Sequence, residues 1–248
     1  MVIYLNPNDK SSNCVLSNNN LTVKISGSGG IRATKGINHG KWYWEISTDS
    51  INNAAGVGIT NINAALNIPG IDNNGYGYYS FSGAKYHAGQ SINYGGAWQG
   101  AHTIGVALDL DNKTLGFYRD GSYQGIAYNI SEGIYYPAIG NGSSSTSPTI
   151  TINFGDSNFK YSIPEGFQRY SDIIMNKYLI KQDEQYYSVK DNTLTSLGIP
   201  TDDIQKQQWF DDYGVEDLKD ALLTPDTNGN KLIDSLDNQF EIRMMKAK

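Results

Sequence analysis

Asp109 and Asp111 stand two residues apart, a spacing that puts two carboxylates on one face of a strand, where one could give a proton and the other take it. Asp111 opens the turn sequence Asp-Asn-Lys-Thr, and Asp109 alternates with apolar neighbours, so both read as structural. His39, His87 and His102 lie far apart with no metal-ligand spacing, and neither His-Glu-x-x-His nor Gly-x-Ser-x-Gly occurs. The stretch from Gly36 to Lys41 has the outline of a phosphate loop. It is one residue short, lacks a hydroxyl residue after the lysine, and leads into a strand where a helix N-terminus is required. Gly56-Val-Gly58 and Gly75-Tyr-Gly77 lack the third glycine of a dinucleotide fingerprint. The alternating carboxylates of a glycan hydrolase are missing too. Asp226–Asp237 sets oxygen ligands along a twelve-residue span in the manner of a calcium loop, but Lys231 occupies the sixth position, where the sharp turn needs glycine. It reads as a polar surface loop. The expectation is a protein with no catalytic residues, no metal and no cofactor.

Residues suited to holding a ligand are more evident. Tyr94-Gly-Gly-Ala-Trp98-Gln99 sets two aromatics in a glycine-rich polar stretch without alternation to bury them. Asn61–Asn74 is long and asparagine-rich, and Asn141–Ser147 is small and polar. Rings supply apolar contact at low entropic cost and amides supply directional hydrogen bonds, a pairing that suits peptides and sugars. Trp98 and Tyr94, then Asn63, Asn73 and Asn141, are the candidate ligand-binding residues. For Trp98 a second reading stays open, in which the indole folds back to cap the sandwich edge.

These loops need a framework, and alternation supplies it. Leu21, Val23 and Ile25 share one face, as do Trp42, Trp44 and Ile46, with Tyr43 and Glu45 opposite. Val57 and Ile59 follow, then Ile104 through Leu110, then Ile150, Ile152 and Phe154. Period two with polar partners predicts strands buried on one side, in stacked antiparallel sheets. Asp111–Thr114 and Asp120-Gly121 predict turns in a meander of 104–110, 115–119 and 122–127, the second of type I′. The large apolar residues of these strands read as core.

The formal charge is −6 and no basic run occurs, which argues against nucleic acid as a ligand. Cys14 is the only cysteine, so no intrachain disulfide can form. No stretch approaches a membrane span, so no membrane insertion is expected. The N-terminus lacks a basic start and apolar core, so no signal peptide is read and folding in the cytoplasm is expected.

Six segments occur in an order that resembles SPRY domains. They are Gly40-Lys-Trp-Tyr-Trp-Glu45, Gly56-Val-Gly-Ile59, Gly105-Val-Ala-Leu-Asp-Leu-Asp111, Gly116-Phe-Tyr-Arg-Asp-Gly121, Tyr136-Pro137 and Asn153-Phe-Gly155. The resemblance runs from about Ser17 to Phe167. It implies a mainly β fold, a bent two-sheet antiparallel sandwich over residues 1–168, with a binding role exercised through loops and no enzymatic activity.

Composition shifts after Phe167, and residues 171–248 read as a small α+β module. Asn176–Lys190 predicts a hairpin turning at Asp183-Glu184, Asp202–Tyr213 a helix capped by Thr201 or Asp202 and stopped by Gly214, and Gln239–Met245 a terminal strand. Val215, Leu218 and Leu222 have helical spacing. The module resembles attachment or oligomerisation pieces of tail proteins from phages of Gram-positive bacteria. That resemblance implies a virion or particle tail component, made in the host cytoplasm, whose partners are a bacterial surface glycan or protein and other virion subunits, with a homo-oligomer as a further option. The alternatives are an intracellular, cytoplasmic adaptor gripping a short peptide and a purely structural virion subunit.

Overall fold

The computed structural model describes residues 3–48, 54–173, 176–190, 193–215 and 240–246. The chain divides into two compact units, Val2–Asp172 and Ile173–Lys248.

The first unit is built from β1 (Leu5–Lys10), β2 (Cys14–Ser17), β3 (Thr22–Ile25), β4 (Gly29–Ala33) and β5 (Lys41–Thr48). Then come β6 (Ala55–Thr60), β7 (Gly75–Tyr79), β8 (Ala84–His87), β9 (Gln90–Asn93) and β10 (His102–Asp109). The series ends with β11 (Thr114–Arg119), β12 (Ser122–Asn129), β13 (Tyr136–Asn141), β14 (Thr149–Asn153) and β15 (Gln168–Arg169). One sheet runs β1-β4-β13-β6-β7-β8-β9 and the other β12-β11-β10-β5-β14-β3-β2. Except for the short parallel β15, which joins β5, pairing is antiparallel throughout. This is the mainly β, two-sheet sandwich that the alternation predicts. The central strands β13 and β14 come late in the chain and insert between partners made much earlier.

The inner faces meet in a core that includes Leu5, Ile25, Ile31, Trp44, Ile46, Phe117 and Phe154. Tyr170, fully buried, sits edge-on to Trp44 at 5.1 Å and donates its hydroxyl to Lys35 O at 2.7 Å. Both expected turns form. Asp120 and Gly121 take φ of 49° and 79°, as a type I′ hairpin requires.

The outer face of β5 departs from expectation. Tyr43 and Glu45 alternate with the core residues but are themselves buried, at 1% and 4% exposed. The segment after β14 folds back over them. Glu45 accepts Lys160 N at 2.7 Å, Tyr161 N at 3.0 Å and the Tyr43 hydroxyl at 3.2 Å, and Phe159 meets Tyr43 edge-on at 5.1 Å. The carboxylate thus supplies acceptors to two backbone amides that nothing in a strand would satisfy. Glu45→Gln turns one acceptor into a donor facing a donor and is expected to cost about 1–3 kcal/mol. A urea melt of the full chain measures this, and an unchanged midpoint would remove the carboxylate from the fold's support.

The second unit contains β16 (Asn176–Gln182), β17 (Gln185–Lys190), β18 (Thr193–Gly198), the helix α1 (Asp203–Tyr213) and β19 (Phe240–Lys246). The sheet order is β18-β17-β16-β19, so the hairpin turns at Asp183-Glu184 as expected, and the terminal strand joins it along β16. Asp202 caps the helix, accepting Gln205 N at 2.7 Å. Leu179, Tyr186 and Phe210 form one buried cluster, with Trp209 packed against it. Val215 is in an isolated bridge with Tyr178 rather than in a helix. Leu218, Leu222 and the calcium-like loop Asp226–Asp237 lie outside the described residues.

Candidate ligand-binding cleft

The site begins with glycines. Gly30 on β4 pairs with Gly140 on β13, which pairs with Gly56 on β6, which pairs with Tyr79 on β7. Directly paired residues share a face. The outer face of the seven-stranded sheet therefore carries three bare positions in a row, ended by a tyrosine ring. The segment Asn67–Pro69 lies in this trough. A Cβ at Gly30 would stand 2.3 Å from Asn67 O, one at Gly140 2.4 Å from the same oxygen, and one at Gly56 2.3 Å from Ile68 Cγ1.

The rest of the 61–74 loop is pinned by polar contacts. Arg32, 5% exposed, donates from Nη1 to Ala64 O at 2.9 Å and pairs with Asp9 through Nε and Nη2 at 2.6 and 2.8 Å. Asp72 accepts Ala65 N and Asn74 N, both at 2.8 Å. The loop behaves as a fixed strap.

Between the strap and β7–β9 opens a cleft of about 330 Å3. Ile68 and Ile71 give it apolar surface, Tyr79 and Tyr86 aromatic surface, and Ser28, Ser82, Ser91 and Asn67 polar groups. The two rings stand 6.5 Å apart between centroids. Burial raises the Tyr79 phenol above its ordinary value, with Tyr86 adding to the effect, so it stays a neutral donor. Neither phenol hydroxyl has a hydrogen-bond partner among the described residues. None of the lining residues is Asp, Glu, Lys, Arg, His or Cys. Such a surface can stack on an apolar face and exchange hydrogen bonds with neutral groups. It offers no acid, base or nucleophile of activated type.

The candidate residues from sequence fall differently. Trp98 is fully buried against Tyr78, with its amide bonded to Ser80 O at 2.9 Å, so of its two readings the folded-back indole agrees with the structure and the exposed ring is corrected. The reason is local: Gly95 and Gly96 let the chain pass tightly over Gly83 and drop the indole into the core. Tyr94 is half-buried and its hydroxyl is already engaged. It donates to Gly125 O at 2.5 Å and accepts Phe117 N at 3.2 Å, which corrects its reading as an open contact. Burial pushes that phenol far above its usual range. Asn141 is also corrected. It is fully buried, and its Nδ2 donates to Gly27 O at 2.9 Å and Thr146 O at 3.0 Å, so the amide shapes its own loop. Asn63 and Asn73 are exposed on the strap but do not line the cleft. Two of the three loops read from sequence do flank it, through Asn67, Ile68, Ile71 and Gly142. Tyr79 and Tyr86 are missed by the sequence reading: alternation in Gly75–Tyr79 sets Tyr79 opposite Tyr76 and Tyr78, whereas Tyr86 reaches the outer face only through its pairing with Gly77.

Comparison with known proteins places this framework. Residues 41–157 match the family model described as SPRY domain. The chain is 31% identical over 166 residues to the ATP-dependent RNA helicase DDX1 of Xenopus laevis, a match covering 66% of this chain and 22% of the helicase. It is 31% identical over 155 residues to a probable ATP-dependent RNA helicase ddx1 of Dictyostelium discoideum, covering 62% and 19%. The chain thus spans about a fifth of the length of these relatives. Among solved structures, the SPRY domain of human HERC1 superposes with a TM-score of 0.54 at 18% identity, over 62% of this chain and 99% of that one. The stonustoxin structure superposes at 0.50 with 19% identity, over 61% and 27%. These two likenesses concern the fold alone.

Proposed function

We propose that the SPRY domain at residues 41–157 belongs to a non-enzymatic binding protein, which holds an uncharged segment of a surface glycan or protein in the strap cleft. The observation that carries the reading is the cleft itself, with two tyrosine rings and free hydroxyls on an apolar floor and no Asp, Glu, Lys, Arg, His or Cys in the lining. Ligand sites of this kind are mainly apolar with a few fixed polar groups, and about 330 Å3 is within their usual size. The C-terminal unit serves as the attachment piece. Its resemblance to phage tail modules supports a particle tail facing a Gram-positive cell surface as the setting. The second reading, an adaptor gripping a short peptide, is supported by the helicase relatives, in which the matching region is a fraction of a larger protein.

Labelled full-length protein incubated with intact Gram-positive cells tests the first setting. Tyr86→Ala is expected to reduce binding by about tenfold, the effect of truncating a central aromatic contact. Binding that is unchanged by Tyr86→Ala would remove the cleft as the ligand site. Absence of binding by either protein, together with capture of a cytoplasmic peptide, would move the function to the adaptor.

A further inference from the structure

The strand beside the cleft has an open edge. β9 ends the seven-stranded sheet, and all four residues from Gln90 to Asn93 are exposed, Ile92 at 56%. It joins β8 through Ala88 and Gly89, with φ of 53° and 71°, a two-residue hairpin turn. In such a hairpin the pair flanking the turn, His87 and Gln90, exchanges hydrogen bonds, and the next pair, Tyr86 and Ser91, does not. The amide and carbonyl of Ser91 therefore face away from β8, and the same alternation turns out those of Asn93. Edges of this kind are ordinarily blunted by brevity, lysine, proline or a bulge. β9 is short, at four residues, but its sequence Gln-Ser-Ile-Asn and regular pairing leave it without charge, proline or bulge.

We infer that β9 captures an extended segment of a partner protein as an eighth strand, with one uncharged side chain of that segment entering the strap cleft. The inference rests on the proposed cleft and names the class of ligand. The occupant is fixed by the chemistry of the edge. Donor and acceptor repeat every second residue, a pattern that only extended backbone matches. Ser91 lines the cleft and pairs with Tyr86, which also lines it. A residue added opposite Ser91 lies on that same face, at the mouth of the cleft. The neutral lining selects an apolar, aromatic or hydroxyl side chain there, and exposed Ile92 favours an apolar neighbour on the other face. A second copy of β9 would bring only Ser91 or Asn93 to the cleft side, too small to fill about 330 Å3.

The probe is a displayed library of random peptides of about 12 residues, long enough for one strand and its flanks, selected on the full-length protein. Enriched peptides are expected to alternate uncharged positions and to lose about tenfold or more in affinity for Ser91→Pro. That substitution deletes only an outward amide, so the β8 pairing and the thermal midpoint should be retained. N-methylation of alternate amides in the peptide should weaken binding to the unaltered protein in the same way. Peptides sensitive to Tyr86→Ala but indifferent to Ser91→Pro and to N-methylation would overturn edge capture and leave the cleft standing. Sensitivity to Ser91→Pro and N-methylation without sensitivity to Tyr86→Ala would keep the edge and remove the cleft. A library yielding no binder, or a dimer in solution that Ser91→Pro splits, would overturn the inference.

Discussion

Gly140→Ala is expected to lower the thermal midpoint of the sandwich by about 5–10 °C, through a loss of about 2–3 kcal/mol. The added methyl would stand 2.4 Å from Asn67 O and 2.6 Å from both Asn67 C and Ile68 Cα. All three are main-chain atoms of a strap held at both ends, so no side-chain rotation relieves the contact. Either the strap lifts from the sheet or β13 shifts from its neighbours β4 and β6. Lifting the strap would move Ile68 and Asn67, so ligand affinity should fall together with stability. Gly142→Ala is the control: its Cβ would meet Ile68 Cδ1 at 3.5 Å, an ordinary contact. Thermal denaturation followed by circular dichroism separates the two variants. Equal midpoints for Gly140→Ala and Gly142→Ala would mean that the glycine row is not a bed for the strap.

Asp9→Ala should be still more damaging, at about 3–5 kcal/mol. Its carboxylate receives two charge-assisted hydrogen bonds from a guanidinium that is otherwise enclosed by β4 and the strap. Without Asp9 the Arg32 charge stays buried with only carbonyl partners, Ala64 O at 2.9 Å and Asn61 O at 3.4 Å. Arg32→Met removes that charge while keeping much of the volume, and Asp9 can then turn toward water. The double variant is therefore expected to be more stable than Asp9→Ala alone. Chemical denaturation of all four proteins gives the coupling between the two sites. A double variant no more stable than Asp9→Ala would locate the cost in lost packing rather than in the stranded cation.

The strands were legible in the sequence because period-two alternation is a local property, visible wherever one face is apolar. Trp42, Trp44 and Ile46 announce an inner face, and Asp120-Gly121 announces its turn. The second covering layer was not legible. Tyr43 and Glu45 read as outward residues, since only the return of Phe159–Tyr161, more than a hundred positions later, buries them. The site residues failed for a related reason. Trp98 and Asn141 occupy loops whose composition suggests exposure, while their burial depends on which strands lie beneath. The glycine row is scattered over β4, β6 and β13, and it becomes one feature only after register is known.

The late position of β13 and β14 has a consequence for how this chain is made. β13 separates β4 from β6, and β14 separates β5 from β3. Until the ribosome has passed residue 141 the seven-stranded sheet cannot close, and until it has passed residue 153 the other cannot. The nascent polypeptide exposes four strands that lack a neighbour. Synthesis at about 5–20 residues per second leaves such a chain open for seconds, and unpaired edges are sites of misassembly. The sandwich is therefore committed to a late, concerted closure dominated by contacts distant in sequence, the topology that folds slowly. Its yield in a cell should depend on holding those edges apart until the last two strands arrive.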